Sequence, residues 1–393
     1  MRITNIVERP VPLRGSIRNS LVNFSGHTVS LLAVHTDVVG AGKPVVGVAF
    51  NSIGRFAQSG ILRDRLIPRV LSTDPETLLG EDGLLDPAKV LAACMRDEKP
   101  GGHGDRAAAA SVLELACWDA VAKAMGEPAA RTIARRVRGC EPQSDVAVYA
   151  AGGYYYGCGD DVARLRAELR AYQDLGYREF KIKIGGADLA ADLRRIEAAI
   201  EVAGDAGAVA VDANGRFDRA AAVQVAEELR PYGLRWFEEP GDPLDFGLNA
   251  EVVEAFQGPV ATGENLFSVQ DVRNLLAYGG LRPRCDVLQM DAGLSYGLTE
   301  YLGMIAAVEE AGFDRRWLHP HGGHLINLHI VAGLGLGGCE AYPGVFQPFG
   351  GYPDDVLRTV GRIAPSQAPG FGLEEKLDLD IEIRTLIDLG GAR

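Results

Sequence analysis

Six cysteines are spread through the chain, at Cys94, Cys117, Cys140, Cys158, Cys285 and Cys339, and no two stand in a CxxC pair. Scattered, unpaired thiols are read as reduced structural residues of a cytoplasmic protein. No uncharged apolar run reaches the roughly 18 residues that span a bilayer, so no membrane span is expected. The N-terminal stretch MRITNIVERP has no apolar h-region of the kind a secretory leader needs. Basic residues are outnumbered: 40 Lys and Arg stand against 53 Asp and Glu, for a net charge of −13. An acidic surface repels phosphate backbones, so nucleic acid is not an expected partner. Such a surface aids solubility, and it leaves carboxylates available for a metal cation. A GxGxxG turn after a first strand is also missing, which counts against a dinucleotide-binding sheet.

The chain has 393 residues, of which 47% are hydrophobic and 24% charged. That is the balance of a soluble globular protein, and the length predicts one large domain with a companion. The first part reads as α+β. Residues 29–38 and 45–50 alternate as strands, and 106–125 repeats apolar residues at three- and four-residue steps as a long helix. Gly126 is placed to cap that helix and Pro128 to stop it.

From about residue 145 short apolar strands alternate with amphipathic helices. The strand candidates are VAVYAA, FKIKI, AVAVD, RWFEE, PVATGE, DVLQMD, RRWLHPH and CEAYP. Helices are expected near 160–175, 189–203, 218–230, 245–256, 268–278, 297–311 and 324–334. Alternating βα units imply parallel strands, and eight of them predict a closed, TIM-like (β/α) barrel.

Ionisable residues stand at the C-terminal ends of these strands: Lys181 and Lys183, Asp212, Glu238, Glu264, Asp291, His321 and Glu340. Asp212, Glu238, Glu264 and Asp291 follow one another at intervals of 26, 26 and 27 residues, one βα unit each. Such spacing puts them on the rim where barrel enzymes keep their active sites. Three converging carboxylates repel and raise one another's pKa, and a divalent cation removes that conflict. Oxygen-only ligands suit Mg²⁺, with Mn²⁺ as the alternative, and the lack of neighbouring Cys or His argues against zinc. Glu239 adjoins Glu238, so spacing leaves either as the ligand. In a strand the i and i+2 residues share a side, so Lys181 and Lys183 both face inward, where two crowded ammonium groups favour a neutral lysine base. His319, His321 and His324 compete as partner of Asp291, an arrangement that fixes an imidazole's tautomer and favours its protonated form. A metal with two opposed acid/base groups suits removal of a proton beside a carboxylate, and Glu340, if protonated, would donate to the developing oxyanion.

These residues resemble the enolase superfamily, in its mandelate racemase subgroup. FKIKIG, VDANGRF, WFEEP, ATGEN, and QMDAGLSYG followed by HPHGGH carry the resemblance. It implies a barrel of the enolase-type modified form over about 145–344. An N-terminal α+β capping domain would span 1–130, with the segment about 345–393 returning to it. It implies Asp212, Glu238 and Glu264 as metal ligands, and Lys183 and His321, paired with Asp291, as the two acid/base catalysts. Lys181 would support the substrate carboxylate. The segments EKPGGHG, YAAGGYYY, ATGENLFS, HPHGGH, GLGLGG and FQPFGG are similar to those of the D-tartrate dehydratases within that subgroup. That similarity implies conversion of D-tartrate to oxaloacetate through an enol. Lys99 and His103 of the 98–104 loop and residues near 14–26, and more weakly Tyr155, Tyr156, Asn51 and Arg55, are candidates for the far end of a small hydroxy-acid substrate. Another acid-sugar dehydratase, a racemase or epimerase, and a non-catalytic acid-binding barrel are the alternatives. A homo-oligomer is the family's habit.

Overall fold

The computed structural model describes residues 1–40, 42–156, 161–354 and 356–391. Cys158 and the residue at which the helix near 160–175 was expected to begin lie outside the described residues. The strands β1 (Ile3–Pro12), β2 (Thr28–Gly40) and β3 (Lys43–Phe50) form one antiparallel sheet in that order. The sequence reading had β2 and β3 but not β1. Pro10 and Pro12 obscure it, and they are tolerated because β1 is an edge strand that pairs only with β2. The helix Asp105–Met125 packs on β2 and β3, and the C-terminal helix Leu377–Gly391 packs on β1 and β2. Gly126 ends the first of these in the left-handed conformation, φ 67°. Contact between β3 and that helix is possible only because residue 47 is glycine. A Cβ there would stand 2.0 Å from the Ala116 carbonyl oxygen and 2.6 Å from the Ala120 Cβ.

The second sheet is parallel and curled. Its strands are β4 (Val146–Gly152), β5 (Phe180–Lys183), β6 (Val209–Asp212), β7 (Phe237–Glu238), β8 (Val260–Thr262), β9 (Val287–Leu288) and β10 (Cys339–Ala341). They run in the order β10-β4-β5-β6-β7-β8-β9, so the last strand returns beside the first. The short β11 (Arg362–Ile363) adds an antiparallel pairing at the start of β4. Helices follow the strands at Asp161–Asp174, Leu189–Ala203, Arg219–Leu229, Phe246–Phe256, Val269–Tyr278, Leu298–Glu310 and Leu325–Leu334. Asp188, Asp218, Asp245, Ser268 and His324 cap five of them with side-chain acceptors.

The expected seventh strand, RRWLHPH, is the exception. Arg315–Trp317 is a single 3-10 turn, and the strand is reduced to one parallel bridge, Leu288 to Leu318. The His319 and His321 N–H groups donate toward β9, to the Leu288 and Gln289 carbonyls. Between them Pro320 has no N–H for the other side, so regular pairing toward β10 stops. The Gly337 N–H donates to the Leu318 carbonyl at 3.1 Å and closes the gap.

Strand register decides where the polar groups meet. Lys183 pairs with Asp212, and Asp212 with Glu238. Below them Tyr149, Ala210, Trp236, Ala261 and Val287 fill the barrel as a separate apolar cluster. No described helix is long and apolar enough to cross a membrane.

Candidate active site

All four residues of β5 are buried, and the strand's pleat sends both lysines to the barrel's inner rim. Lys181 Nζ lies 2.6 Å from Glu238 Oε1, 2.8 Å from Glu340 Oε1 and 3.7 Å from Asp212 Oδ2. Lys183 Nζ lies 2.5 Å from Asp212 Oδ2. Burial would lower both lysines, but the carboxylates outweigh it. Glu238 and Glu340 raise Lys181, and Asp212 raises Lys183 against the opposing charge of Lys181. The neutral lysine expected from two crowded cations is therefore not what these side chains favour by themselves, because the carboxylates in contact with each ammonium outweigh the other ammonium.

Asp212, Glu238 and Glu264 each offer an oxygen within 4.8 Å of the others. Burial would raise Asp212, yet Lys183 and Lys181 hold it below the usual carboxylate range. Glu238 goes the other way: burial and the neighbouring Asp212 charge push it up. Three converging carboxylates, with no nitrogen or sulfur among the donors, fit a hard divalent cation such as Mg²⁺. Asn214, which donates to both oxygens of Asp212, has a buried Oδ1 without a partner in the same cavity wall.

The choice between Glu238 and Glu239 is made by the backbone. Glu239 has φ 39°, so the chain turns out of the strand directly after Glu238. Both Glu239 oxygens are taken by Asn265 Nδ2, at 2.9 and 3.0 Å. Glu238 Oε2 accepts from Trp236 Nε1 and Gln289 Nε2, each at 2.8 Å, and Oε1 meets Lys181.

On the other side of the rim His321 Nδ1 lies 3.2 Å from Asp291 Oδ2, and its Nε2 lies 3.9 Å from Glu264 Oε2. Burial would lower His321, but Glu264, the Asp291 hydrogen bond and Glu340 push it up to about 9. His319 is turned to the apolar plug, near Tyr149 and Trp236, and burial takes it down to about 3. His324 caps the next helix. Burial would raise Glu340, but Lys181, then His321 and Lys183, hold it at about 2. These neighbours favour an ionised Glu340 over the neutral donor that the sequence allows.

A cavity of about 330 Å³ opens over this cluster. Lys183, Asn214, Glu239, Glu264, Asn265 and His321 form its polar wall. Asn19, Leu21, Val22 and Phe24 cover it from the expected 14–26 segment, with Ile53 and Arg55 beside them. Other expected substrate contacts stand elsewhere. Lys99 is exposed and does not line the cavity, and its loop is tied back by Arg106, which donates to the Lys99 and Gly101 carbonyls. His103 bonds the Tyr296 hydroxyl at 3.0 Å. Tyr155 donates to Asp192 and Tyr156 to Glu168, both away from the cavity. Asn51 is fully buried and spent on backbone groups of Ser30, Ser52 and Arg55.

The sequence reading missed Tyr342 and Tyr154, both on the cavity wall. Tyr342 Oη lies 3.2 Å from His321 Nε2 and donates to Glu340 Oε2 at 3.0 Å. The i, i+2 relation to Glu340 was the available signal. Tyr154 has none of that kind, since it follows the end of β4.

Residues 164–379 match the enolase C-terminal domain-like family, and the chain belongs to it. L-talarate/galactarate dehydratase of Salmonella typhimurium is 29% identical over 262 residues, covering 66% of this chain and 62% of that protein. The 3,6-anhydro-alpha-L-galactonate cycloisomerase of Streptomyces coelicolor is 32% identical over 235 residues, 60% of each chain. The chain thus spans about six tenths of the length of these relatives. Among solved structures, a racemase from Streptomyces coelicolor A3(2) with bound magnesium superposes with a TM-score of 0.75 at 23% identity, covering 97% of this chain and 98% of that one. The barrel with its N-terminal sheet is therefore the architecture that the sequence motifs predicted.

Proposed function

We propose that this protein is a Mg²⁺-dependent dehydratase of hydroxy acids, acting on an acid sugar. One observation carries the reading: a three-carboxylate cluster has Lys183 at its Asp212 end and His321 at its Glu264 end, and Lys183, Glu264 and His321 line one cavity. Asp212, Glu238 and Glu264 would hold the cation, which supplies positive charge to stabilise the enolate that forms when a carboxylate's neighbour is deprotonated. Lys183 takes the proton alpha to the substrate carboxylate. His321, held protonated by Asp291, gives its proton to the hydroxyl on the next carbon, which leaves as water, and the enol relaxes to the keto acid. The proton taken and the proton given balance. Lys181, bonded to Glu238 and Glu340, sets the charge beneath the substrate carboxylate. In this reading residues 1–130 and 345–393 form the cap over the barrel of 145–344.

The finer reading is a four-carbon diacid, D-tartrate, going to oxaloacetate. It rests on the loop motifs and on a small cavity. Arg55, the one arginine among the described lining residues, donates to Asn265 at 2.8 Å. It is a better candidate for a second carboxylate than Lys99. A racemase or cycloisomerase would use the same opposed pair, and one of the relatives is a cycloisomerase.

A panel of tartrate stereoisomers and five- and six-carbon acid sugars, supplied with Mg²⁺ in D₂O, separates these outcomes. Keto-acid formation supports a dehydratase. Deuterated substrate of both configurations without keto acid means a racemase. Keto acid from six-carbon acids but no tartrate would sink the four-carbon assignment alone. No turnover or exchange with any acid would sink the reading.

A further inference from the structure

Behind the Asp291–His321 pair stands a second histidine, and the hydroxyl that links the two comes from the N-terminal side of the molecule. His324 opens the helix Leu325–Leu334 as its N-cap, and its Nδ1 accepts from the Asn327 N–H at 3.4 Å. A ring nitrogen that accepts has no proton, so in the neutral ring the proton is on Nε2. Burial lowers His324 to about 4, so the ring is neutral near pH 7. Its Nε2 lies 3.0 Å from Ser52 Oγ and therefore donates to it. Ser52 stands beside Asp291: a Cβ on Gly293 would meet the Ser52 Cβ and, at 3.2 Å, Asp291 Oδ1, and the Ser52 side chain helps to hold the carboxylate below its usual range. Asp291 Oδ1 accepts from the Gly293 N–H at 2.7 Å, and Oδ2 faces His321 Nδ1. His324 thus donates to Ser52, while the Gly293 N–H and His321 Nδ1 face the Asp291 carboxylate. His321 Nε2 is left on the side of Tyr342 Oη and Glu264, both on the cavity wall.

The packing around Ser52 is tight on two sides. A Cβ on Gly293 would stand 2.9 Å from the Ser52 Cβ. A Cβ on Gly322, which has φ 97°, would stand 2.8 Å from Ser52 Oγ and 2.9 Å from His324 Nε2. The Ser52 N–H donates to the Gly293 carbonyl at 3.2 Å. Ser52 is fully buried and His324 nearly so. Ser52 follows β3 of the antiparallel sheet, whereas the other three members belong to the barrel.

We propose that Ser52 and His324 are positioning residues of the Asp291–His321 acid/base pair, and that through Ser52 the N-terminal layer sets the orientation of a barrel catalyst. The proposal rests on the reading of His321 as the acid. A buried polar cluster with only a packing role would make the same contacts, so the test must tell capping from positioning. His324→Asn keeps an amide at the place of Nδ1, and with it the helix cap, but cannot reach Ser52. His324→Gln puts its amide nitrogen at the place of Nε2, keeping the donor to Ser52 and losing the cap. Ser52→Ala removes the link.

Two readouts are taken on the full chain. The first is the downfield Nδ1 proton of His321 in ¹⁵N-histidine-labelled protein without substrate, assigned by its loss in His321→Asn. The second is kcat and KM on the acid-sugar substrate. The expected result is a shifted or exchange-broadened His321 proton in Ser52→Ala and His324→Asn, with kcat down about 10- to 100-fold, the range for lost outer supports of a site, and little change in KM. His324→Gln restores most of kcat despite a lower melting temperature. A His324→Asn variant with parental kcat and an unmoved His321 signal overturns the proposal, as does a His324→Gln variant slower than His324→Asn. If Ser52→Ala does not fold, the two His324 variants decide. If the parent turns over no acid, the dehydratase reading has failed, and the substrate-free His321 signal alone decides this inference.

Discussion

Lys183 Nζ and Asp212 Oδ2 lie 2.5 Å apart, both buried, at paired positions of β5 and β6. One carboxylate thus serves the proposed base and the proposed cation site. An Asp212 that shares its charge with a cation gives less of it to Lys183, and burial and Lys181 then pull the lysine toward neutrality. The neutral base expected from the sequence is on this view a property of the loaded site.

Lys183→Ala should lower kcat by roughly 10³-fold, within the range for a positioned general base. Chelation should abolish turnover by the parent, and added Mg²⁺ should restore it. Keto-acid formation measures both. Turnover that survives exhaustive chelation would remove the cation from the scheme.

Asp291→Asn leaves the shape of the site but changes which His321 nitrogen carries the proton, because an amide can donate to Nδ1. We expect kcat to fall about 10²-fold or more, with the fold retained. Circular dichroism and steady-state rates check this. A rate within threefold of the parent would make the pair dispensable.

Arg55→Met should raise KM for diacids by about tenfold, the loss of one charged hydrogen bond, and leave monoacid sugars nearly unaffected. Competition between a diacid and its monoacid analogue reads this directly. Equal losses for both would mean that Arg55 only braces Asn265.

Glu114 tests burial away from the site. It is fully buried within the helix Asp105–Met125 and accepts from Trp118, Leu298 and Thr299. Burial raises it from 4.5 to about 6. The folded state then holds this proton more tightly than the unfolded chain does. Its contribution to stability is full below pH 4.5 and lost as pH rises through about 6. It is worth on the order of 2 kcal/mol. Urea unfolding at pH 4.5 and 6.5 should show a smaller pH difference in Glu114→Gln than in the parent.

Gly47→Ala should destabilise by about 1–3 kcal/mol or more through overpacking against Ala116 and Ala120, lowering the melting temperature. A variant as stable as the parent would mean that β3 can lift from the helix at no cost.

The barrel was legible because its cause is local. Short apolar strands, amphipathic helices and the 26-residue interval between strand-end carboxylates all repeat within single βα units. Each needs only the periodicity of the chain. Asp212, Glu264 and Asp291 could therefore be placed on one rim before any coordinates. The seventh strand was misjudged because Pro320 matters only through the neighbour it cannot bond.

What tertiary structure alone decided depends on which groups meet across the fold. A positive φ at Glu239 separates it from Glu238. Lys181, from a strand distant in sequence, lies 2.8 Å from Glu340 and favours its ionised form. The 98–104 loop is turned from the cavity by Arg106, while the 14–26 segment forms its roof. Ser52 reaches Asp291 across the boundary between the sheet and the barrel. Charge balance and close packing are sums over neighbours, and the chain determines those neighbours only once it has folded.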